Sequence, residues 1–152
     1  MSRRVEISRD IAASPAAVYA AISDVTRMGE WSIECHHCEW TGESTSASVG
    51  ATFDGHNRNG DHEWITQSTV VAADPGRAFA FECSMFDFHY ATWGYDIEPI
   101  DTGSRVTEWA DDFRPDEALE MSAKASGVED RSARNRETIS GTLERLAAAL
   151  ER

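Results

Sequence analysis

The sequence has no long apolar run and little positive charge. No stretch approaches the roughly 20 apolar residues that a membrane-spanning helix needs, and no apolar export segment follows Met1. The 152 residues carry 14 Lys and Arg against 27 Asp and Glu. This acidic balance disfavours nucleic acid and anionic membranes, because both are bound through clustered basic side chains. We therefore expect a cytoplasmic protein with no nucleic-acid partner and no membrane insertion.

Cysteine is also scarce, with three in the chain. Without an export signal, they predict reduced thiols rather than a disulfide framework. Two of them belong to the string Cys35-His36-His37-Cys38, whose composition suggests a zinc or redox site. A closed zinc site needs a further ligand pair, and in a regular strand Cys35 and Cys38 point to opposite faces. We therefore predict an ordinary strand there and no metal ion.

No compact catalytic motif is present in the sequence. We find no Ser/His/Asp signature, no glycine-rich phosphate loop and no metal-binding helix motif. The sequence therefore predicts no cofactor. The acidic cluster formed by Asp111, Asp112, Asp116 and Glu117 is interpreted as solvated surface.

The hydrophobic periodicity predicts a single α+β domain over residues 1–152. Residues 4–11 alternate polar and apolar, as a half-buried strand does. Ser14-Pro15 begins a helix, because a hydroxyl N-cap precedes proline at the first helical position, and a second short helical segment ends at Trp31. From about Ile33 to Phe113, strands alternate with turn signals. Their short connections require antiparallel neighbours.

A long final helix is predicted from one apolar stripe. Ile139, Leu143, Leu146 and Leu150 follow the spacing of a helix that buries one face, and the stripe extends back to Val128. No other predicted element has an apolar face large enough to cover the sheet. The sheet is therefore expected to curl around this helix.

The predicted turns set the strand registers, and the registers set which side chains share a face. Asn59-Gly60 is the strongest hairpin signal, and the loops at 73–76 and 100–103 fix two further registers. The resulting cross-strand pairs are Gly55 with Trp64, Phe53 with Thr66, Phe81 with Ser68, and Tyr95 with Glu108. In the last register Trp109 points outward.

The inward face combines large rings with small and polar side chains. Such a mixture packs poorly as a solid core and is typical of a ligand cavity, although a filled aromatic core remains the alternative. The predicted pocket consists of Trp31, Trp40, Phe53, Asn57, Trp64, Thr66, Phe81, Cys83, Trp93, Tyr95, Glu108 and Asn135.

Several local strings resemble a known family over nearly the whole chain. They are Val5-Glu6-Ile7, Ala13-Ser14-Pro15-Ala16-Ala17-Val18-Tyr19, Asp24-Val25, Glu30-Trp31-Ser32, Val49-Gly50-Ala51, Asp74-Pro75-Gly76-Arg77, Trp93-Gly94-Tyr95 and Gly103-Ser104-Arg105-Val106-Thr107-Glu108. With them the sequence resembles the START-like (SRPBCC, helix-grip) superfamily, in its polyketide cyclase/dehydrase and lipid-transport branch. The resemblance implies a curved seven-stranded antiparallel sheet gripping the last helix, two short helices after the first strand, and a deep cavity.

Two functions follow from such a cavity. The first is binding of a small, mostly apolar molecule, aromatic or polyketide-like, by the pocket rings. The alternative is a cofactor-free polyketide cyclase/dehydratase in which Tyr95 polarises a carbonyl and Glu108, desolvated among rings, acts as general acid or base. Whether Glu108 is only structural stays open at this point, as does enzymatic activity itself. A partner-binding acidic surface is a third reading, and exposed Trp31 and Trp109 rings would favour a homodimer.

Overall fold

The computed structural model describes residues 3–85 and 87–152. Seven antiparallel strands form one sheet in the order β1-β7-β6-β5-β4-β3-β2. The strands are β1 (Arg3–Ile11), β2 (Cys35–Thr41), β3 (Thr52–Asn59), β4 (His62–Asp74), β5 (Ala78–Met85), β6 (Phe88–Ile100) and β7 (Gly103–Asp112). The helices are α1 (Pro15–Ser23), a 3-10 helix (Val25–Glu30), α2 (Asp116–Ser126) and α3 (Arg131–Leu150). The predicted α+β helix-grip architecture is confirmed.

The first two helices begin where their capping residues predict. The Ser14 hydroxyl accepts a hydrogen bond from the amide of Ala17 at 3.1 Å, and Pro15 occupies the first turn. The Asp24 carboxylate caps the 3-10 helix by accepting from Thr26 at 3.1 Å. Among the described residues, no helix has the length and apolar character needed to cross a bilayer.

The C-terminal helical region is two helices rather than one. Gly127 adopts a left-handed conformation, with φ of 73°, which ends α2. Asp130 then caps α3 by accepting from the amide of Ala133 at 3.0 Å. The expected continuation of the stripe back to Val128 is therefore wrong, since that residue lies in the connection. In α3 the side chains of Ile139, Leu143 and Leu146 are almost completely buried, because the helix packs across β1 and β7.

Two of the predicted registers are displaced by two residues. The β3–β4 turn pairs Asn59 with His62, so Gly55 lies opposite Thr66 rather than Trp64. A shift of two keeps every side chain on its predicted face and changes only its partner. Between β4 and β5 the turn pairs Asp74 with Ala78, and the register changes by one residue between Val70 and Ala72. As a net result Cys83 rather than Phe81 faces Ser68. The β6–β7 register, with Tyr95 opposite Glu108, is as predicted.

The predicted regular alternation in β2 is wrong. The register shifts between Cys35 and His37, so one extra residue is accommodated in a bulge. Cys35 and Cys38 therefore face the same side and are both buried, whereas His36 and His37 are exposed.

Neither tryptophan expected to favour a dimer offers an exposed ring. Trp31 is 2% exposed, and the Arg27 guanidinium lies 4.9 Å from its ring centroid. Trp109 is half-buried on the outer face of the sheet, as expected, with the Arg4 guanidinium 4.6 Å from its ring. These rings give no reason to expect a homodimer, which stays a prediction without structural support.

Trp109 covers Gly94, its cross-strand partner, so closely that a Cβ at this glycine would overlap the indole ring. We expect Gly94→Ala to lower the free energy of unfolding by about 1–3 kcal/mol, as overpacking does. Urea denaturation measures this. In a Trp109→Leu background the same substitution should lower the free energy of unfolding much less. Equal decreases in the two backgrounds would contradict the steric explanation.

Candidate functional site

A cavity of about 520 Å³ lies between the concave face of the sheet and helices α2 and α3. This volume falls within the range of roughly 300–1,000 Å³ found for small-molecule sites. The inner face of the sheet therefore has more room than its own side chains fill, and the solid aromatic core considered as the alternative does not occur.

Ten of the twelve residues predicted for the pocket line this cavity. They are Phe53, Asn57, Trp64, Thr66, Phe81, Cys83, Trp93, Tyr95, Glu108 and Asn135. Trp31 and Trp40 do not line it. Trp31 is enclosed in the core beside the 3-10 helix, and Trp40 lies behind Phe53, with the two rings packed edge to face at 5.7 Å.

Helix α2 forms a wall of the cavity that the sequence analysis missed. The residues that it contributes are Ala118, Met121, Ser122, Ala125 and Ser126. The acidic residues Asp116 and Glu117 at its start led to an interpretation as solvated surface. The signal was present, however, because Ala118, Met121 and Ala125 follow the spacing of one helix face.

Apolar side chains surround the opening of the cavity. Met85, Phe88 and Met121 all contact the cavity, yet they are 47%, 51% and 74% exposed. Exposed apolar side chains that adjoin a concave apolar site are typical of a route for an apolar ligand.

A buried ion pair lies beside the cavity where acidic surface was expected. Asp112 is 1% exposed, and its carboxylate accepts hydrogen bonds from the Arg114 guanidinium at 2.7 and 2.9 Å. Burial raises the pKa of Asp112, but the hydrogen bonds and charge of Arg114 outweigh it and hold that pKa below the ordinary value. The interpretation of Asp112 as solvated is therefore wrong. Arg114 also lies 5.3 Å from the Tyr90 ring, which lines the same cavity.

A second ion pair lies where α3 begins. Arg131 donates to the Glu34 carboxylate at 2.7 Å, and Arg134 lies 3.6 Å from the other carboxylate oxygen. Arg131 and Glu34 both line the cavity. The two arginines that reach the cavity, Arg114 and Arg131, are thus already neutralised by protein carboxylates.

Glu108 and Tyr95 form a fully buried polar pair in the wall. The two side chains lie opposite each other on β7 and β6. Burial raises the pKa of Glu108 well above its ordinary value, and the Tyr95 hydrogen bond only partly opposes this. Burial beside Glu108 likewise raises the pKa of Tyr95. Burial thus favours the neutral form of Glu108 and raises its pKa above that of a solvated carboxyl group, which favours a role as proton donor over one as base.

Three buried oxygen atoms of residues that line the cavity have no hydrogen-bond partner among the described residues. Oε2 of Glu34 lies 3.6 Å from Arg134, which leaves Oε1 of Glu108 and Oδ1 of Asn135. A buried polar atom without a partner is costly. These atoms are therefore suitable anchors for polar groups of a ligand. Asn57 is already engaged, because its side-chain amide donates to the Gly55 carbonyl at 3.2 Å.

A possible cation site lies on the outer face of the sheet, apart from the cavity. The ligand atoms of His37, Glu39 and His56 lie within 4.8 Å of one another, and two imidazoles with a carboxylate suit a divalent ion such as zinc. The Cys35 and Cys38 thiols point to the opposite face. The thiols and imidazoles of the Cys35-His36-His37-Cys38 string are thus separated by the sheet and do not form one four-ligand site.

The chain is similar in sequence and fold to proteins of one family. A family model described as polyketide cyclase/dehydrase and lipid transport matches residues 2–151. The solution structure of a polyketide-cyclase-like protein from Corynebacterium glutamicum shares 34% identity with this chain, at a TM-score of 0.57. That match covers 99% of this chain and 90% of the other. The resemblance inferred from the sequence is confirmed.

More distant structures share the fold. A protein from Chromobacterium violaceum is 16% identical, with a TM-score of 0.73 and 98% of each chain covered. The di-domain ARO/CYC protein StfQ of the steffimycin biosynthetic pathway is 14% identical at a TM-score of 0.77. The match covers 99% of this chain and 51% of StfQ. No curated protein matches the chain.

The raised pKa of Glu108 predicts how stability depends on pH. Because the folded state holds the proton more tightly than the unfolded state, stability is complete below the unfolded pKa and falls as pH rises toward the folded one. Each unit of difference corresponds to about 1.4 kcal/mol. As the pH rises from 4.5 to 8, the free energy of unfolding of Glu108→Gln should therefore increase relative to that of the unmodified protein by at least about 1 kcal/mol.

Urea denaturation at the two pH values measures this change. Glu98→Gln, which alters an exposed carboxylate on β6, is the matched control and should follow the unmodified protein. If Glu108→Gln and Glu98→Gln showed the same pH dependence, Glu108 would not be a buried neutral acid.

Proposed function

The chain belongs to the polyketide cyclase/dehydrase and lipid transport family, and on that premise we propose that it binds a small, mostly apolar molecule, aromatic or polyketide-like, between the sheet and α3. The observation that carries the proposal is the cavity of about 520 Å³ with its aromatic walls. Burial of apolar ligand surface contributes about 25 cal/mol per Å², and rigid rings provide that contact at low entropic cost.

The wall favours a flat or ring-containing ligand. Phe53 and Phe81 pack edge to face at 5.1 Å, and Trp64 and Trp93 add two larger rings to the lining. Aromatic partners gain stacking and edge-to-face contacts beyond simple burial of area.

The polar atoms of the wall favour a neutral ligand with one acceptor and one donor. Protonated Glu108 can donate to a carbonyl oxygen, and Oδ1 of Asn135 can accept from a hydroxyl group. An anionic group on the ligand would gain little electrostatic attraction, because Arg114 and Arg131 are already paired with Asp112 and Glu34.

Filling the cavity should abolish binding. Ala91 is buried and lines the cavity, so Ala91→Phe should weaken binding of the neutral aromatic dye Nile red at least tenfold in a fluorescence titration. Ala16→Phe, on the exposed face of α1, adds the same ring outside the cavity and should leave binding unchanged. Circular dichroism verifies that both variants are folded, and undiminished binding by a folded Ala91→Phe variant would refute the proposed site.

A second candidate function is cyclisation and dehydration of a polyketone in the same cavity. The observation that favours it is the neutral acid Glu108 beside the Tyr95 hydroxyl. The likeness to the ARO/CYC protein StfQ concerns the fold alone, so the chemistry rests on this pair.

The pair suits the dehydration that follows ring closure. Protonated Glu108 donates its proton to a hydroxyl group, which leaves as water as its carbon–oxygen bond breaks. In the same concerted step the carboxylate accepts the proton of the neighbouring carbon, the C–H electron pair forms the double bond as negative charge develops toward the carbonyl, and Glu108 is neutral again. Tyr95 donates a hydrogen bond to the adjacent carbonyl and stabilises the negative charge that develops there.

Replacement of the acid separates turnover from binding. Glu108→Gln keeps a hydrogen-bond donor but cannot transfer a proton, so dehydration of a cyclic β-hydroxyketone test compound should slow about 100-fold or more, while its affinity changes less than threefold. Glu98→Gln should keep the full rate. Product formation followed by mass spectrometry checks this. An unchanged rate in Glu108→Gln would eliminate the enzymatic function and leave the binding function standing.

A further inference from the structure

Two thiols lie in contact in the cavity wall. The sulfur atoms of Cys35 and Cys38 are 3.1 Å apart, both residues line the cavity, and their exposed fractions are 8% and 1%. The bulge in β2 produces this arrangement, because it turns both side chains inward where a regular strand would separate them.

Residues of β3 and of the 3-10 helix pack against the two thiols. Gly55 is the cross-strand partner of Cys38, and a Cβ at Gly55 would lie 3.4 and 3.7 Å from the two sulfur atoms. On the other side, the thioether sulfur of Met28 lies 3.7 Å from the sulfur of Cys38. The thiols are therefore packed among soft, apolar groups and face the cavity.

The two thiols are not equivalent. Hydrogen bonding by Cys38 lowers the pKa of Cys35 despite burial, whereas the same contact and burial raise the pKa of Cys38. Since the thiolate is the reactive form and Cys35 is also the more exposed of the two, Cys35 is assigned as the nucleophile of the pair and Cys38 as its neighbouring thiol. Cys83 differs from both: burial raises its pKa to about 12, and it contacts Ser68 at 3.6 Å.

We propose that Cys35 and Cys38 are a two-electron redox site, which a hydroperoxide that enters the cavity oxidises to an intramolecular disulfide. The Cys35 thiolate attacks the peroxide oxygen, the O–O bond breaks, and a sulfenic acid forms as the leaving oxygen takes up a proton. The Cys38 sulfur then attacks the sulfur of Cys35. The S–O bond breaks, the proton of Cys38 goes to the departing hydroxide, and water is released. Two thiols and hydrogen peroxide thus yield one disulfide and two waters.

A metal site explains the pair less well. Among the residues that the structure describes, the sulfur ligands at this point are two thiols and one thioether, and His36 and His37 lie on the opposite face of the sheet. Disulfide formation needs only that the sulfur atoms approach from 3.1 Å to about 2.05 Å.

The direct test uses the whole reduced protein and hydrogen peroxide. After exposure, the protein is denatured, its free thiols are alkylated, and its peptides are mapped by mass spectrometry. We expect the intact mass, measured before alkylation, to be lower by two hydrogens. The peptide map should show a link between Cys35 and Cys38 and an alkylated Cys83. A Cys83→Ser variant should form the same disulfide, whereas Cys35→Ser and Cys38→Ser should form none within one chain.

Two results would overturn the proposal. One is that Cys35 and Cys38 remain as alkylatable as Cys83 after exposure to peroxide in the unmodified protein. The other is that the disulfides formed link two chains. Neither result depends on the variants, so a variant that fails to fold does not obscure the outcome.

A further experiment tests whether peroxide reaches the thiols through the cavity. It rests on the proposed ligand-binding function. Saturation with Nile red should slow disulfide formation at least threefold, because the ligand fills the space through which peroxide reaches the sulfur atoms. An unchanged rate with bound dye would overturn access through the cavity. If the disulfide forms although no dye binds, the ligand-binding function fails while the redox site stands.

Discussion

The cavity exists because α3 turns two different rows of side chains toward the sheet. Ile139, Leu143 and Leu146 are almost completely buried where the helix packs against β1 and β7. Asn135, Thr138 and Thr142 form a neighbouring row of short polar side chains that lines the cavity. Because short side chains fill little of the space over the curved sheet, a void remains beside the polar row.

The charges around this void follow a consistent arrangement. Asp112 with Arg114, and Glu34 with Arg131, place opposite charges in direct contact, so burial of each group is offset by its partner. Glu108 has no such partner among the described residues and lies instead beside the neutral Tyr95 hydroxyl. A buried carboxyl group in that position is most stable when protonated. With both arginines paired and the neutral form of Glu108 favoured by burial, the wall offers a ligand hydrogen bonds rather than unpaired charge.

The inner face of the sheet could be predicted from sequence because side chains alternate with a period of two. An error of two residues in the β3–β4 and β4–β5 registers left residues such as Thr66 and Cys83 on the correct face. The pairing of Tyr95 with Glu108 was predicted because the loop at 100–103 was placed correctly between β6 and β7. Helix α2 was missed because its acidic first turn hid the apolar spacing of Ala118, Met121 and Ala125. Burial of Asp112 depends on Arg114, and a single sequence does not reveal that pairing.

The bulge in β2 lay beyond prediction for a different reason, because the contacts that hold it come from distant parts of the chain. The backbone carbonyl of His36 approaches Gly29 so closely that a Cβ there would overlap it. On the inner side, Gly55 leaves space beside the two sulfur atoms. A larger residue at Gly29 would displace the His36 carbonyl and with it the bulge, whereas one at Gly55 would overlap Thr66 and take the space beside the two sulfur atoms. Two glycines outside β2, in the 3-10 helix and in β3, thus leave room for the bulge and for the Cys35 and Cys38 thiols that it turns inward.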